Sequence, residues 1–341
     1  MSKTSTPQTA LSIGDVTAEP GTTARGQIPV GRDALGREVG LPVIVVHGRE
    51  SGPRLWLNGA IHGDEPEGTY SIFLALAELD PMAIRGSVIA IPSMNPGAFA
   101  AGTRGNPLDT FSYDMNRIYP GKADGYPTER IAAAHWAAMQ GVCDLQISIH
   151  SGGEHSYLGH MIFSPDDAGS FRLAAAMGPG WTLVFKSATG GANPSSLLAA
   201  KGIPAISVEL GGNCRTLTKD FREVGRDLAA AYLNVMRHFG MLDGSAQYAQ
   251  RWRMGYQIAL LAPVDGMFIG NPDLAFETAL PTDYSIGVIV DLYGDKVAEL
   301  RAPQEGVVFG LRSRPSVLAG AWCCFFGVID EERTDLLADP R

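Results

Sequence analysis

"PRLWLNGAIHGDEPEGTYSIFLALAEL", residues 53–79, changes period partway through. Leu55, Trp56 and Leu57 form a short apolar run of the kind that fills a strand covered on both faces. From residue 66 onward the apolar positions Tyr70, Phe73, Leu74 and Ala77 recur at helical spacing. The junction crowds His62, Asp64, Glu65 and Glu67 into six positions, flanked by Gly59, Gly63 and Gly68. A buried strand that leads through such a turn into a helix is the repeating unit of α/β folds. Four ionisable groups at one strand end also raise a question of chemistry.

The same alternation continues outward. "LPVIVVHG" (41–48) precedes the turn as another apolar, β-rich run, and "GSVIAIPSMNP" (86–96) follows as a strand. "PTERIAAAHWAAMQGV" (127–142) is helical, with Pro127 suited to a first turn. "DLQISIH" (144–150) reads as a strand, "NPSSLLAAKG" (193–202) as a short helix and "IPAISVELGG" (203–212) as a strand. "TKDFREVGRDLAAAYLNVMRHFG" (218–240) is a long helix closed by Gly240. These elements predict an α/β domain over residues 1–244, with a mixed, mostly parallel sheet flanked by helices; residues 1–40 supply a tail and weakly patterned strands. From about residue 245 the chain carries only short strands and turns, among them "YQIALLAPVDGMFIG", "SIGVIVDLYGD" and "AWCCFFGVID". Residues 245–341 therefore read as a smaller all-β domain, a barrel or sandwich.

Bulk properties narrow the function classes. The 341 residues are 45% hydrophobic and 18% charged, as in an ordinary globular protein. A net charge of −9 without any Lys/Arg cluster argues against nucleic acid and against an anionic membrane surface as partners. No run approaches the roughly 18 apolar residues of a membrane span. The polar N-terminus does not read as a signal peptide. Cys143, Cys214, Cys323 and Cys324 show no C-x-x-C spacing, so reduced thiols and a cytoplasmic location are expected.

In an open α/β sheet, functional groups collect where strands end. His62 and Glu65 follow "LWLNGAI", His150 ends "DLQISI" and Glu209 ends "PAISVE". Two histidines and a carboxylate at neighbouring strand ends can ligate zinc and leave a fourth position open, the arrangement of a catalytic site. Each residue alone has a bland explanation. An H-x-x-E pair arises by chance, Glu65 is at home at a helix N-terminus, His150 can be a hydrogen-bonded strand-end histidine and Glu209 a salt-bridged acid. The ordered set makes the metal reading the stronger one. Gly59 and Gly63 would relieve backbone strain in so sharp a turn. His47 reads as a packed or surface histidine, while His155, His160, Tyr284 and Tyr293 are further residues that could line a pocket.

"GAIHGDEPEG", "SMNPGAFAAGTRGNPLDTFSYDMNRIYPG", "DLQISIHSGG" and "ISVELGG" together resemble the succinylglutamate desuccinylase/aspartoacylase family, zinc-dependent deacylases related to metallocarboxypeptidases. The resemblance spans about residues 40–240 and implies a zinc-carboxypeptidase-like fold with a β-rich C-terminal domain. It implies one zinc ion per chain held by His62, Glu65 and His150, with Glu209 as general base toward the attacking water. Arg104 would face the developing oxyanion, and Asn116 with Arg117 would hold a substrate carboxylate. Met115 replaces the usual leucine, a volume-conserving change. "HSGG" and the chain length are closer to bacterial members, including deacetylases of ectoine breakdown. Residues 194–204 offer only Lys201 where an acyl-aspartate enzyme would present a further arginine.

The expected activity is thus hydrolysis of the amide bond in an N-acyl amino acid or a related small, carboxylate-bearing amide. A metallocarboxypeptidase acting on peptides would use the same groups. A non-catalytic zinc-binding or carrier-like module is the reading from another class: "RAPQEGVVFG" resembles the rim of a biotinyl or lipoyl domain. Lys296 is misplaced for a carrier lysine, and Glu209 has no purpose in a merely structural site. A homo-oligomer is compatible with the sequence.

Overall fold

The computed structural model describes residues 8–33, 35–213 and 219–338. The N-terminal part contains β1 (Leu11–Ile13), β2 (Val16–Ala18), β3 (Thr22–Arg32), β4 (Glu38–His47) and β5 (Glu50–Asn58). Next come α1 (Pro66–Ala77), β6 (Arg85–Ile91), α2 (Pro96–Ala101), a 3-10 turn (Met115–Arg117), α3 (Pro127–Met139) and β7 (Leu145–His150). They are followed by β8 (Ser156–Pro165), α4 (Ala168–Ala175), β9 (Leu183–Ser187), α5 (Pro194–Ala199), β10 (Ala205–Gly212) and α6 (Lys219–His238). The rest is strand: β11 (Trp252–Leu261), β12 (Gly266–Gly270), β13 (Ala279–Leu280), β14 (Ser285–Val290), β15 (Lys296–Arg301), β16 (Gly306–Arg312), β17 (Ser316–Val317) and β18 (Trp322–Arg333). The tail at 1–7, Cys214 and the start of the 218–240 helix at Thr218 lie outside the described residues. No helix among the described residues is long and apolar enough to cross a membrane.

One sheet runs in the order β13-β16-β18-β11-β9-β8-β10-β7-β5-β6-β4-β3. Its centre is parallel, with β5 beside β6 and β7, and β7 beside β10. The sheet is mixed, as expected, but parallel pairing does not predominate across it: besides these strands only β9 among the described residues pairs parallel, with β8 and β11. β3, β4 and β6 pair antiparallel at one margin. β8 returns from β7 through a five-residue turn with no helix to reverse it, and so runs antiparallel to β10. A turn that short reverses the chain, so β8 runs opposite to β7 and to the strand β10 that lies between them. β8, α4 and β9 lie in a stretch, 151–192, whose pattern predicts no element.

The helices cover both faces. α1, α4 and α6 pack Ile72, Leu173, Leu228 and Tyr232 against Leu57, Ile147 and Val208 of the sheet. On the other face α3 and α5 bring Ile131, Met139 and Leu198 onto Val43, Trp56 and Ile89. Both faces of β5 and β7 are thereby buried, which explains why their sequences read as continuous apolar runs. The C-terminal strands form a core of their own around Phe268, Ile289 and Phe326. They also extend the main sheet, since β11 pairs parallel with β9 and β16 pairs with β8. Phe309 and Val307 meet Leu183 and Phe185 at that junction.

Candidate active site

β5 ends at Asn58, and the chain turns through Ala60, which takes a left-handed φ of 47°. The glycines of the turn serve a different purpose from the one expected. Gly59 and Gly63 do not have positive φ; each is needed because a side chain would strike backbone. A Cβ at Gly63 would run into the Ala98 peptide of α2, and one at Gly59 would press on the Gly68–Thr69 peptide of α1. Close approach of three segments at these points packs the turn tightly and leaves its side chains little freedom.

Glu65 occupies the N-cap of α1, but its side chain caps nothing. Its two oxygens go instead to two imidazoles, 2.7 Å from Nδ1 of His62 and 2.9 Å from Nδ1 of His150. All three residues are buried, and their donor atoms lie within 4.8 Å of one another. Burial opposes charge on Glu65, yet the two imidazoles hold its carboxyl well below the usual range. The opposite ring nitrogens are also engaged: Nε2 of His62 lies 3.1 Å from Asp114 Oδ1, and Nε2 of His150 lies 3.3 Å from Ser148 Oγ. An imidazole anchored through Nε2 presents Nδ1 to a metal in a fixed orientation. Two imidazole nitrogens and a carboxylate, all buried and pre-oriented, suit a zinc ion.

The support behind His150 reaches far into the sheet. Ser148 Oγ accepts from Asn58 Nδ2 at 2.9 Å, Asn58 Oδ1 accepts from Gln146 Nε2 at 2.9 Å, and Gln146 Oε1 accepts from Ser195 Oγ at 2.8 Å. These four residues are buried, and a polar chain of this kind is tolerated in a core only when its members satisfy one another.

Glu209 is the register partner of His150 on the adjacent parallel strand, so the two point from neighbouring strand ends. Among the described residues nothing donates a hydrogen bond to its carboxylate. Burial, and then the charge of Glu65, push its carboxyl well above the usual range, while Arg104 and Arg117 pull it back. Two facing acids in a buried site are the environment that a divalent cation relieves.

Asp114 joins the remaining groups. Its side chain caps the 3-10 turn through the Asn116 N–H at 3.0 Å, as a local turn reading of "DMNR" would have it. The same carboxylate takes a fork from Arg104, with Nε at 3.2 Å and Nη2 at 3.0 Å, besides its contact with His62. Burial opposes its charge, but His62 and Arg104 hold it below the usual range. The third guanidinium nitrogen of Arg104 stays 3.8 Å from Glu65. Asp114 is a candidate functional residue that the sequence did not single out; its place in the block that carries Asn116 and Arg117 was the available signal.

His62, Glu65, His150, Glu209, Arg104, Asn116 and Arg117 all line one cavity of about 420 Å³. His155 lines it as well, whereas His160 faces Glu277 and Trp181 elsewhere. From the C-terminal strands the cavity receives Gln257, Trp322 and Phe325 rather than the tyrosines considered from sequence. Tyr284 packs on the C-terminal core, and Tyr293 is 94% exposed. Asp64 accepts from the Glu154 N–H at the edge of the site. Glu67 ties two strand ends together, accepting from Ser151 Oγ at 2.7 Å and from the Gly212 N–H at 3.1 Å, and burial pushes its carboxyl up to about 7. His47 is buried, bonded to Ser87 and the Thr9 carbonyl.

Comparison with known proteins places this geometry. The model of the succinylglutamate desuccinylase/aspartoacylase catalytic domain matches residues 51–237. N-alpha-acetyl-L-2,4-diaminobutyric acid deacetylase of Halomonas elongata is 28% identical over 313 residues, covering 86% of this chain and 87% of its own. Among solved structures, a succinylglutamate desuccinylase/aspartoacylase from Rhodobacter sphaeroides is 25% identical with a TM-score of 0.75, over 89% of this chain and 94% of its own. The product-bound ectoine utilization protein EutE of Ruegeria pomeroyi is 24% identical and shares the fold, with a TM-score of 0.79 over 94% of this chain and 99% of its own.

Proposed function

The chain belongs to the succinylglutamate desuccinylase/aspartoacylase family, and from that premise we propose that it is a hydrolase using one zinc ion per chain to cleave the amide bond of a small N-acyl amino acid. The observation that carries the proposal is the convergence of His62, Glu65 and His150 beside a carboxylate, Glu209, that accepts no hydrogen bond from the described residues. The deacetylase relative supports amide hydrolysis as the reaction.

His62 and His150 would hold zinc through Nδ1, and Glu65 through its carboxylate. Zinc held by these residues would supply a water of lowered pKa and polarisation of the carbonyl. Glu209 accepts the proton of the attacking water and returns it to the departing amine. Arg104, fixed by its fork on Asp114, keeps one nitrogen for the oxygen on which negative charge develops. Asn116 and Arg117 hold the substrate carboxylate at the cavity rim, where a guanidinium can match it with two parallel hydrogen bonds. The C-terminal residues Gln257, Trp322 and Phe325 wall the cavity, which supports a small amide over an extended peptide.

Protein stripped with a chelator should lose amine release from N-acyl amino acids and regain it with zinc. Glu209→Gln should keep zinc near one per chain while kcat falls at least ~100-fold. Full turnover by metal-free protein sinks the proposal, and loss of zinc from the variant would make Glu209 a ligand instead.

A further inference from the structure

The cavity divides into two unlike halves. Its ionisable groups come from the strand ends of β5, β7 and β10 and from the loop carrying Arg104 to Arg117. The other wall is mostly apolar, made of Leu158, Met161 and Phe163 of β8 with Trp322 and Phe325 of β18, and its polar atoms are the Gln257 amide of β11 and the indole N–H of Trp322. This wall begins one strand away from the chemistry, since Met161 is the register partner of Glu209. It continues across the sheet through Leu158, paired with Gly310, and Gly310, paired with Phe325. Gly310 has no substitute in that row: a Cβ there would strike Leu158 and sit 3.0 Å from Phe325 Cδ2, so its absence lets the two apolar side chains close over it.

The wall is also held from behind. The rings of Trp322 and Phe325 lie 4.2 Å apart between centroids, and Phe325 stacks on Phe309 at 5.9 Å and 14°. Phe163, Trp322 and Phe325 are only half-buried, and all three border the cavity. Rigid apolar surface left open to a small cavity is stabilised when an apolar ligand displaces its water.

The acids of the cavity are meanwhile committed. Glu65 serves the two imidazoles, Asp114 serves His62 and Arg104, and Asp64 accepts from the Glu154 backbone. Glu209 is the base of the proposed reaction. Each therefore has another partner or a role in the reaction, for which a cationic substituent would have to compete. Arg117 is the lining cation that makes no ion pair among the described residues, which leaves it for a carboxylate.

We infer that the preferred substrate carries an uncharged apolar group next to its amide, seated on the wall formed by Phe163, Trp322 and Phe325. The inference rests on the reading of the site as an amide hydrolase and adds the class of substituent. It distinguishes this chain from what the Halomonas relative's name implies, because 2,4-diaminobutyrate bears an extra amine.

The test is a binding titration on zinc-loaded Glu209→Gln, in which the ligand survives for measurement. One arm varies the side chain at fixed acetyl: N-acetyl-leucine and N-acetyl-phenylalanine against N-acetylglycine and N-acetyl-2,4-diaminobutyrate. The other varies the acyl group at fixed glycine, from acetyl to hexanoyl and benzoyl. An apolar group should tighten binding at least ~10-fold in one arm, the usual scale for filling an apolar pocket. The arm that responds tells whether the wall takes the side chain or the acyl chain. Trp322→Ala should erase the gain, weakening the apolar ligands more than N-acetylglycine; Trp322→Phe, which preserves packing on Phe325, should keep most of it. Equal affinities across both arms, tighter binding of the diaminobutyrate ligand, or a preference that survives both Trp322→Ala and Phe163→Ala would overturn the inference. Amine release by the wild type is read separately, so a hydrolase without apolar preference is told apart from a protein that does not hydrolyse amides.

Discussion

Asp114→Asn is the perturbation that separates metal holding from charge stabilisation. The carboxylate has four contacts: Oδ1 takes His62 Nε2 and the Asn116 N–H, and Oδ2 takes Nε and Nη2 of Arg104. An asparagine has one oxygen to distribute. Turned toward His62 and Asn116 it keeps two acceptor contacts and sets its NH2 against the guanidinium, donor facing donor. Turned the other way it opposes its NH2 to the Asn116 N–H and to His62, and loses the orientation of a metal ligand. The first orientation keeps the backbone turn and the ligand, so Arg104 bears the loss.

Zinc affinity should then fall by no more than ~10-fold, the low end of what removing a partner behind a ligating histidine costs. Release of Arg104 should lower kcat about 100-fold, the scale of one preorganised donor to a developing oxyanion. Asp114→Ala removes all four contacts and should weaken zinc by about 100-fold. Competition with a chromogenic chelator measures the first quantity, and single-turnover amine release from zinc-saturated protein measures the second. In a cycle with Arg104→Ala the kcat losses should not add, because both changes disable the same donor. Should Asp114→Asn retain wild-type kcat at zinc saturation, or should its loss add fully to that of Arg104→Ala, Asp114 does not work through Arg104.

Arg117→Ala should raise KM more than it lowers kcat, costing roughly 30-fold or more in kcat/KM, since a grip on the substrate carboxylate is present in ground and transition states alike. A carboxamide analogue should show almost no further loss in the variant; equal losses on both substrates would make Arg117 structural. His135 accepts the Trp56 indole N–H at 3.0 Å and lies 3.0 Å from the Tyr119 hydroxyl, and burial drops its pKa from the usual 6.5 to about 3. The unfolded chain therefore protonates first, so this site's contribution is intact above pH 6.5 and is lost as pH falls toward 3, by up to about 5 kcal/mol. Urea titrations from pH 7 to 4 should show a shallower acid loss in His135→Gln than in wild type; identical slopes would exclude His135 as a source.

What was readable in the sequence depended on whether burial leaves a local mark. β5, β7 and β10 are covered on both faces, so each is an apolar run whose end is visible, and the residues proposed for the chemistry, His62, Glu65, His150 and Glu209, sit at those ends. β8 is mostly buried as well, but Gly159 and His160 interrupt it, because a Cβ at 159 would press on the Glu277 side chain and His160 hydrogen-bonds to that same carboxylate. A strand shaped by a partner that far along the chain shows no period of its own. Its direction was hidden for the same reason: a short return, and not any pattern inside it, sets β8 antiparallel to β10 although parallel to β9. The apolar wall has the same character. Trp322 and Phe325 read as ordinary β-core residues, and they reach the cavity only because β16 lies between β8 and β18. The residues proposed for catalysis were therefore legible from strand ends, while the half proposed to choose the substrate is made by pairing between distant segments and became visible only in the fold.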